Sequence, residues 1–192
     1  MACEVGFGGG AVLSFLQQEC GEAYGIETVT LSIENAISRG IPKERLFNAL
    51  SLPPVIQKKI DLWIFLDSFE HIPNPGEFLS WMENNTAPRA DIILVAPQAG
   101  SLSEVLLGRL WPHKLPDHPF QWSKVGIESL FAQRGFELRS SFFPLKHISL
   151  TQVLTILGHK FGFKGRCPSL FESHIVVPFN FGQMGLHISR GK

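Results

Sequence analysis

Residues 60–68, IDLWIFLDS, form a run of strand length that is apolar with almost no alternation. A strand with one wet face alternates apolar and polar side chains. A run that does not alternate needs cover on both faces, which is the situation of a central strand in a parallel sheet. ADIILVAPQ, residues 90–98, has the same character. Helical patterns separate the apolar runs. GAVLSFLQQEC (10–20) carries Val12, Phe15 and Leu16 and is closed by Gly21. NPGEFLSWMENN (74–85) has Pro75 in its first turn, and SKVGIESLFAQRG (123–135) runs from a capping Ser123 to a stop at Gly135. This alternation is that of βαβ units, so a doubly wound α/β domain is expected. Further strands are expected over 1–5, 22–28, 45–50, 136–143 and 184–189, and further helices over 31–40 and 149–162.

A length of 192 residues suits one domain with a sizeable core. Lysine plus arginine (17) equals aspartate plus glutamate (17), which argues against an electrostatic footprint for nucleic acid or an anionic membrane. Three cysteines, Cys3, Cys20 and Cys167, show no CxxC spacing and read as cytosolic thiols. No stretch approaches the roughly 20 apolar residues that span a bilayer, and no basic-then-apolar leader opens the chain. A soluble, cytoplasmic protein is expected.

In an open α/β sheet, ligands bind outside the carboxyl ends of the strands. Glu4–Gly10, Glu27, Asn48–Ala49 and Leu66–His71 fall there. The first stretch reads acid-x-Gly-x-Gly-x-Gly, as Glu4, Gly6, Gly8 and Gly10. Glycines let the chain turn sharply and let a ligand touch backbone, although a plain tight turn has the same composition. Gly6-x-Gly8-x-x-Ala11 is compatible with a dinucleotide fingerprint, and Glu27 stands near the position of a ribose-binding acid. A carboxylate there can accept both ribose hydroxyls of NAD or of S-adenosylmethionine alike, so an NAD(P)-dependent oxidoreductase stays open at this point.

DLWIFLDSFEHIPNPGEFLSWM, 61–82, adds the turn Glu70-His71-Ile72-Pro73-Asn74-Pro75. With it the sequence resembles the class I S-adenosylmethionine-dependent methyltransferases, in the branch with a Glu-His-hydrophobic-Pro-Asn/Asp-Pro turn after strand four. The likeness runs from about residue 3 to 140 and includes DHPFQWSKVGIESLFAQRGFEL. It implies a Rossmann-like, mostly parallel seven-stranded sheet of order 3-2-1-4-5-7-6, the last strand antiparallel, with a cofactor half (1–98) and a substrate-side half (99–192). It also implies S-adenosylmethionine as cofactor and a small-molecule or lipid-like methyl acceptor. Gly6, Gly8 and Gly10 would meet the methionine part, with Glu4 fixing the loop or meeting the amino group. Glu27 would hold the ribose, Asn48 and Ala49 would stand beside adenine, and Leu66 and Asp67 would lie beside the cofactor.

Two features depart from the family pattern. NNTAPRAD replaces the usual Lys-Pro-Gly-Gly turn, and the helical cover before strand one is missing, since the chain starts inside that strand. The expectation is a longer natural protein or a more open site, and a non-catalytic binding module is the second alternative. His71 and His118 are the candidates for acid–base work. Asp67-x-x-Glu70-His71, with His118 downstream, also resembles a divalent-metal pattern of some O-methyltransferases. The aromatic segments after residue 110 either complete the core or form a lid over an apolar acceptor.

Overall fold

The computed structural model describes residues 1–53, 55, 56, 59–149 and 176–191. Four parallel strands build one side of the main sheet: β1 (Ala2–Val5), β2 (Ala23–Glu27), β3 (Leu46–Asn48) and β4 (Ile60–Leu66). Beyond them stand β5 (Thr86–Pro97), parallel to β4, then β6 (Phe136–Phe142) at the far edge. Two short strands, β7 (Lys146–Ser149) and β8 (Val176–Phe179), pair apart from the main sheet, and β9 (Gln183–Arg190) closes the described chain. The main sheet has the order β3-β2-β1-β4-β5-β9-β6. β9 occupies the expected place of the seventh strand and runs antiparallel between β5 and β6. The expected Rossmann-like topology is present.

The strand periodicity sorts side chains to the two faces. Trp63 and Phe65 of β4 join Val5, Ile26 and Ile92 in one core, which α3 (Pro75–Asn85) covers with Leu79 and Met82 and α5 (Lys124–Ala132) with Ile127 and Phe131. Ile64, between Trp63 and Phe65, enters the opposite core with Phe7, Leu13, Leu16 and Ala36 from the glycine loop, α1 (Ala11–Cys20) and α2 (Thr30–Ser38). Gly25 is what lets α1 approach: a β-carbon there would stand 2.6 Å from both Leu13 and Phe7.

Three differences from the sequence reading have local causes. β5 begins at Thr86 rather than 90, because Thr86 pairs with Ile60 ahead of a register shift, and an irregularity of that kind is where a strand tolerates a proline such as Pro88. Thr86 also accepts the Trp63 indole N–H at 2.9 Å, tying this early segment to the core. A further helix, α4 (Leu102–Leu107), capped by Ser101, follows β5 in a stretch for which no element was expected. The β7–β8 pair was not foreseen, since neither strand has a clear period of its own. The helix expected over 149–162 lies outside the described residues from 150 on, as do Cys167 and the aromatic segment 159–171. Trp111, earlier in the aromatic stretch, is fully buried and donates its indole N–H to the Phe181 carbonyl at 2.7 Å, so there the core reading holds.

Candidate functional site

The carboxyl ends of β1, β2 and β4 open onto one cleft of about 590 Å³. Its walls include Gly6 after β1, Glu27 at the end of β2, Ala49 after β3, and Asp67 to Asn74 after β4 except Phe69 and Glu70. The glycine loop and the Glu-His-Ile-Pro-Asn-Pro turn therefore share a pocket, which sequence distance alone did not guarantee.

The loop leaves β1 as Gly6 donates to the Ile26 carbonyl at 2.7 Å, and Gly10 closes it by donating to Phe7 at 2.7 Å. Gly6, Gly8 and Gly10 all have positive φ (74°, 46° and 72°), conformations open to glycine and strained for other residues. Gly6 also faces a close neighbour, since a β-carbon there would come within 2.5 Å of the Ser68 β-carbon. Glu27, 8 % exposed, holds the loop tip: its Oε2 accepts the Gly8 N–H at 2.8 Å. Its Oε1 accepts the backbone N–H groups of Thr28 at 2.7 Å and Val29 at 3.2 Å, at the start of α2.

Glu4 lies behind the loop, 4 % exposed. Burial pushes its carboxyl up to about 7; the Leu13 backbone N–H opposes this and the Glu27 charge adds to it. Its Oε2 is buried without a hydrogen-bond partner. The folded value lies above the ordinary 4.5, so between these two values the folded chain keeps a proton that the unfolded chain has released. Glu4 thus favours folding most below about pH 4.5, and that contribution is lost as pH rises to about 7, on the order of 3 kcal/mol. In chemical denaturation from pH 5 to pH 8, Glu4→Gln should flatten the fall in stability and be the more stable chain at pH 8. An unchanged slope would refute this account of Glu4.

The remaining candidates divide. Asn48 does not line the cleft: its side-chain carbonyl accepts the Leu50 N–H at 2.9 Å, an Asx turn within its own loop. Leu66 packs toward the α1 face. Asp67, the one non-glycine residue with positive φ (52°) among those described, lines the cleft. Its carboxylate is turned to Lys146 and Gln183, which donate to its two oxygens. Glu70 is 2 % exposed, and burial lifts its carboxyl to about 7.

The two histidines meet. Their rings lie 4.6 Å apart, edge to face, and His71 Nδ1 sits 2.9 Å from the Asp117 carbonyl. Burial, with the neighbouring His71, lowers the His118 pKa below its ordinary value, and its Nδ1 is buried without a partner. Ligand atoms of Glu70, His71 and His118 lie within 4.8 Å of one another, and Asp67 is not part of that group.

Sequence reasoning missed Lys146 and Gln183, which reach the site from the far half of the chain, and the apolar cleft residues Leu52, Ile72, Phe78 and Trp81. Phe78 and Trp81 carried a signal, because a spacing of three puts both on one face of α3. Lys146 and Gln183 carried none. Tyr24, the chain's one tyrosine, stacks on Phe47 with ring centroids 5.9 Å apart and is buried in the core, so it offers no hydride-transfer partner.

The family model described as Methyltransferase domain matches residues 2–141. No curated protein matches the sequence. Among solved structures, the chain is similar to a candidate methyltransferase from Bacillus halodurans C-125 (TM-score 0.68, 16 % identity, 98 % of this chain and 91 % of that one). It is also similar to a SAM-dependent methyltransferase from Archaeoglobus fulgidus (TM-score 0.62, 15 % identity, 98 % and 85 %). A third is magnesium protoporphyrin IX methyltransferase from Synechocystis PCC 6803 with bound SAH (TM-score 0.58, 15 % identity, 100 % and 74 %). No helix among the described residues is long and apolar enough to cross a membrane.

Proposed function

The chain belongs to the methyltransferase-domain family, and on that premise we propose that it transfers a methyl group from S-adenosylmethionine to a small-molecule or lipid-like acceptor. The observation that carries the reading is the shared cleft: the glycine loop, Glu27 and the turn after β4 converge on a space of nucleoside size. The residues fit such a cofactor. Glu27 Oε2 accepts the Gly8 N–H and keeps accepting capacity for a ribose hydroxyl. Gly8 and Gly9 present bare backbone, with no atom within 4 Å of a notional β-carbon. The unpartnered Glu4 oxygen, behind the loop, has accepting capacity left for an ammonium N–H.

In this reading Gly6, Gly8 and Gly10 form the cradle for the methionine part, and Glu4 orders it. Glu27 orients the ribose, while Ala49 with Leu52 and Phe78 gives adenine an apolar bed. The bound cofactor supplies an activated methyl group on a sulfonium, so the protein mainly aligns and desolvates it. His118 acts as the base that takes the acceptor's proton. Its lowered pKa keeps the ring neutral near pH 7, and His71, against it and fixed by the Asp117 carbonyl, holds its orientation. His118→Ala should slow SAH formation roughly a hundredfold or more across a panel of hydroxyl, amine and carbon acceptors, with SAH affinity unchanged. Equal losses in both would count against the role.

A second reading of this corner rests on the convergence of Glu70, His71 and His118. One carboxylate and two imidazoles suit Mg²⁺ or Mn²⁺. Turnover that stops with EDTA and returns with either ion would make His118 a ligand instead of a base.

Calorimetric titration with S-adenosylhomocysteine and with NAD⁺ tests the proposal. Saturable binding of the adenosyl compound alone is expected. Binding of NAD⁺ alone would return the oxidoreductase, and binding of neither would favour a non-catalytic module.

A further inference from the structure

The loop that forms one wall of the cleft has little to hold it in shape. Four of its five residues, 6–10, are glycines, and only Phe7 anchors a side chain in the core. A glycine segment loses more conformational freedom on ordering than any other, so its tip needs explicit partners if it is to stand ready for a ligand. Gly6 and Gly10 are tied at the base of the turn by backbone bonds. At the tip, Gly8 donates to Glu27 from the cleft side, and the Gly9 carbonyl accepts from the Arg39 guanidinium at 2.5 Å from outside.

These two ties belong to one rigid element. α2 begins three residues after Glu27, whose carboxylate accepts the Thr28 and Val29 N–H groups at the helix entrance. The same helix ends at Arg39, whose own N–H is fixed on the Asn35 and Ala36 carbonyls. The C-terminal turn of α2 also lies against the loop, with the Ala36 β-carbon 3.9 Å from where one on Gly10 would stand. A cation at a helix C-terminus is favoured by the helix dipole, which helps keep the guanidinium where Gly9 needs it. A charge-assisted bond to a carbonyl is directional enough to fix the plane of the Gly9–Gly10 peptide.

We propose that Arg39 is a positioning residue for the cofactor loop: through the Gly9 carbonyl it holds from outside the turn that Glu27 holds from within, with α2 as the strut between them. This rests on the cleft being the adenosyl-cofactor site. Arg39 touches no reacting atom, and its effect is on how much of the population has the loop formed before ligand arrives. Losing the tie lowers that fraction, and apparent affinity falls in proportion.

The test compares wild type, Arg39→Met and Arg39→Lys by calorimetry with S-adenosylhomocysteine, and by amide hydrogen exchange of residues 8–10 without ligand. Arg39→Met should weaken binding roughly tenfold, the scale of one charge-assisted bond. It should speed exchange at Gly9 and Gly10 while leaving the thermal midpoint within about 2 °C, because Arg39 is exposed. Arg39→Lys, which keeps a charged donor, should recover most of the affinity. Wild-type affinity in Arg39→Met, or a loss that tracks a fall in thermal midpoint and is not recovered by lysine, overturns the proposal. If wild type itself fails to bind the adenosyl compound, the cofactor reading fails. Exchange in the ligand-free chain then still decides whether Arg39 holds the loop, and unchanged rates at Gly9 and Gly10 would refute that as well.

Discussion

Glu27→Ala is expected to raise the dissociation constant for S-adenosylhomocysteine roughly a hundredfold. The side chain does two jobs at once. It accepts N–H groups from Gly8, Thr28 and Val29, so it joins the glycine loop to the start of α2. Its remaining accepting capacity faces the cleft, where a ribose diol would bind. Hydrogen bonds to a charged acceptor contribute about 1.5–3 kcal/mol each, and the upper end corresponds to the hundredfold loss. Alanine also leaves the Gly8 N–H without its partner. Glu27→Gln keeps an oxygen acceptor but not the charge, and should cost about tenfold. Calorimetry on the two variants decides the matter: affinity within threefold of wild type in the alanine variant would remove Glu27 from the site.

The second large effect is expected at Gly6. With φ at 74°, alanine there meets about 1–2 kcal/mol of backbone strain, and its β-carbon would stand 2.5 Å from that of Ser68. Two carbons cannot approach so closely, so either the loop or the turn after β4 must move. Overpacking of this kind costs about 1–3 kcal/mol, giving a combined loss of roughly 2–5 kcal/mol in stability by denaturant unfolding. Cofactor binding should be lost with it, since both displaced segments line the cleft. Gly8→Ala is the control. Its φ is also positive, at 46°, but no atom lies within 4 Å of the new carbon, so only the strain remains. Ser68→Gly in the Gly6→Ala background should restore part of the stability by removing the collision. If Gly6→Ala and Gly8→Ala prove equally mild, the contact with Ser68 is not what requires glycine.

The site was legible in the chain to different depths. Glu4, the three spaced glycines and Glu27 could be picked out because what marks them is local: a sharp turn needs glycine, and a strand end places an acid at the sheet's carboxyl edge. What Asn48 does locally was not legible: its side-chain carbonyl accepts the backbone N–H of Leu50 in an Asx turn, a contact that its place after β3 did not announce. Asp67 was expected beside the cofactor from the family resemblance; it lines the cleft, and its carboxylate engages Lys146 and Gln183, two residues that no local pattern connects to it.

The sequence by itself determined the architecture. Unbroken apolar strands demand cover on both faces, intervening helices supply it, and the right-handed crossovers between parallel strands leave few ways to order the sheet. What only the tertiary structure decided is which side chains meet across that frame. His71 and His118, Asp67 and Lys146, and Arg39 and Gly9 are distant in the chain and brought into contact by packing. Hydrophobic periodicity fixes which face a residue turns to the core, a preference set within a few neighbouring positions. A hydrogen bond between two such elements depends on their relative placement to within an ångström, and that information exists only once the core has formed.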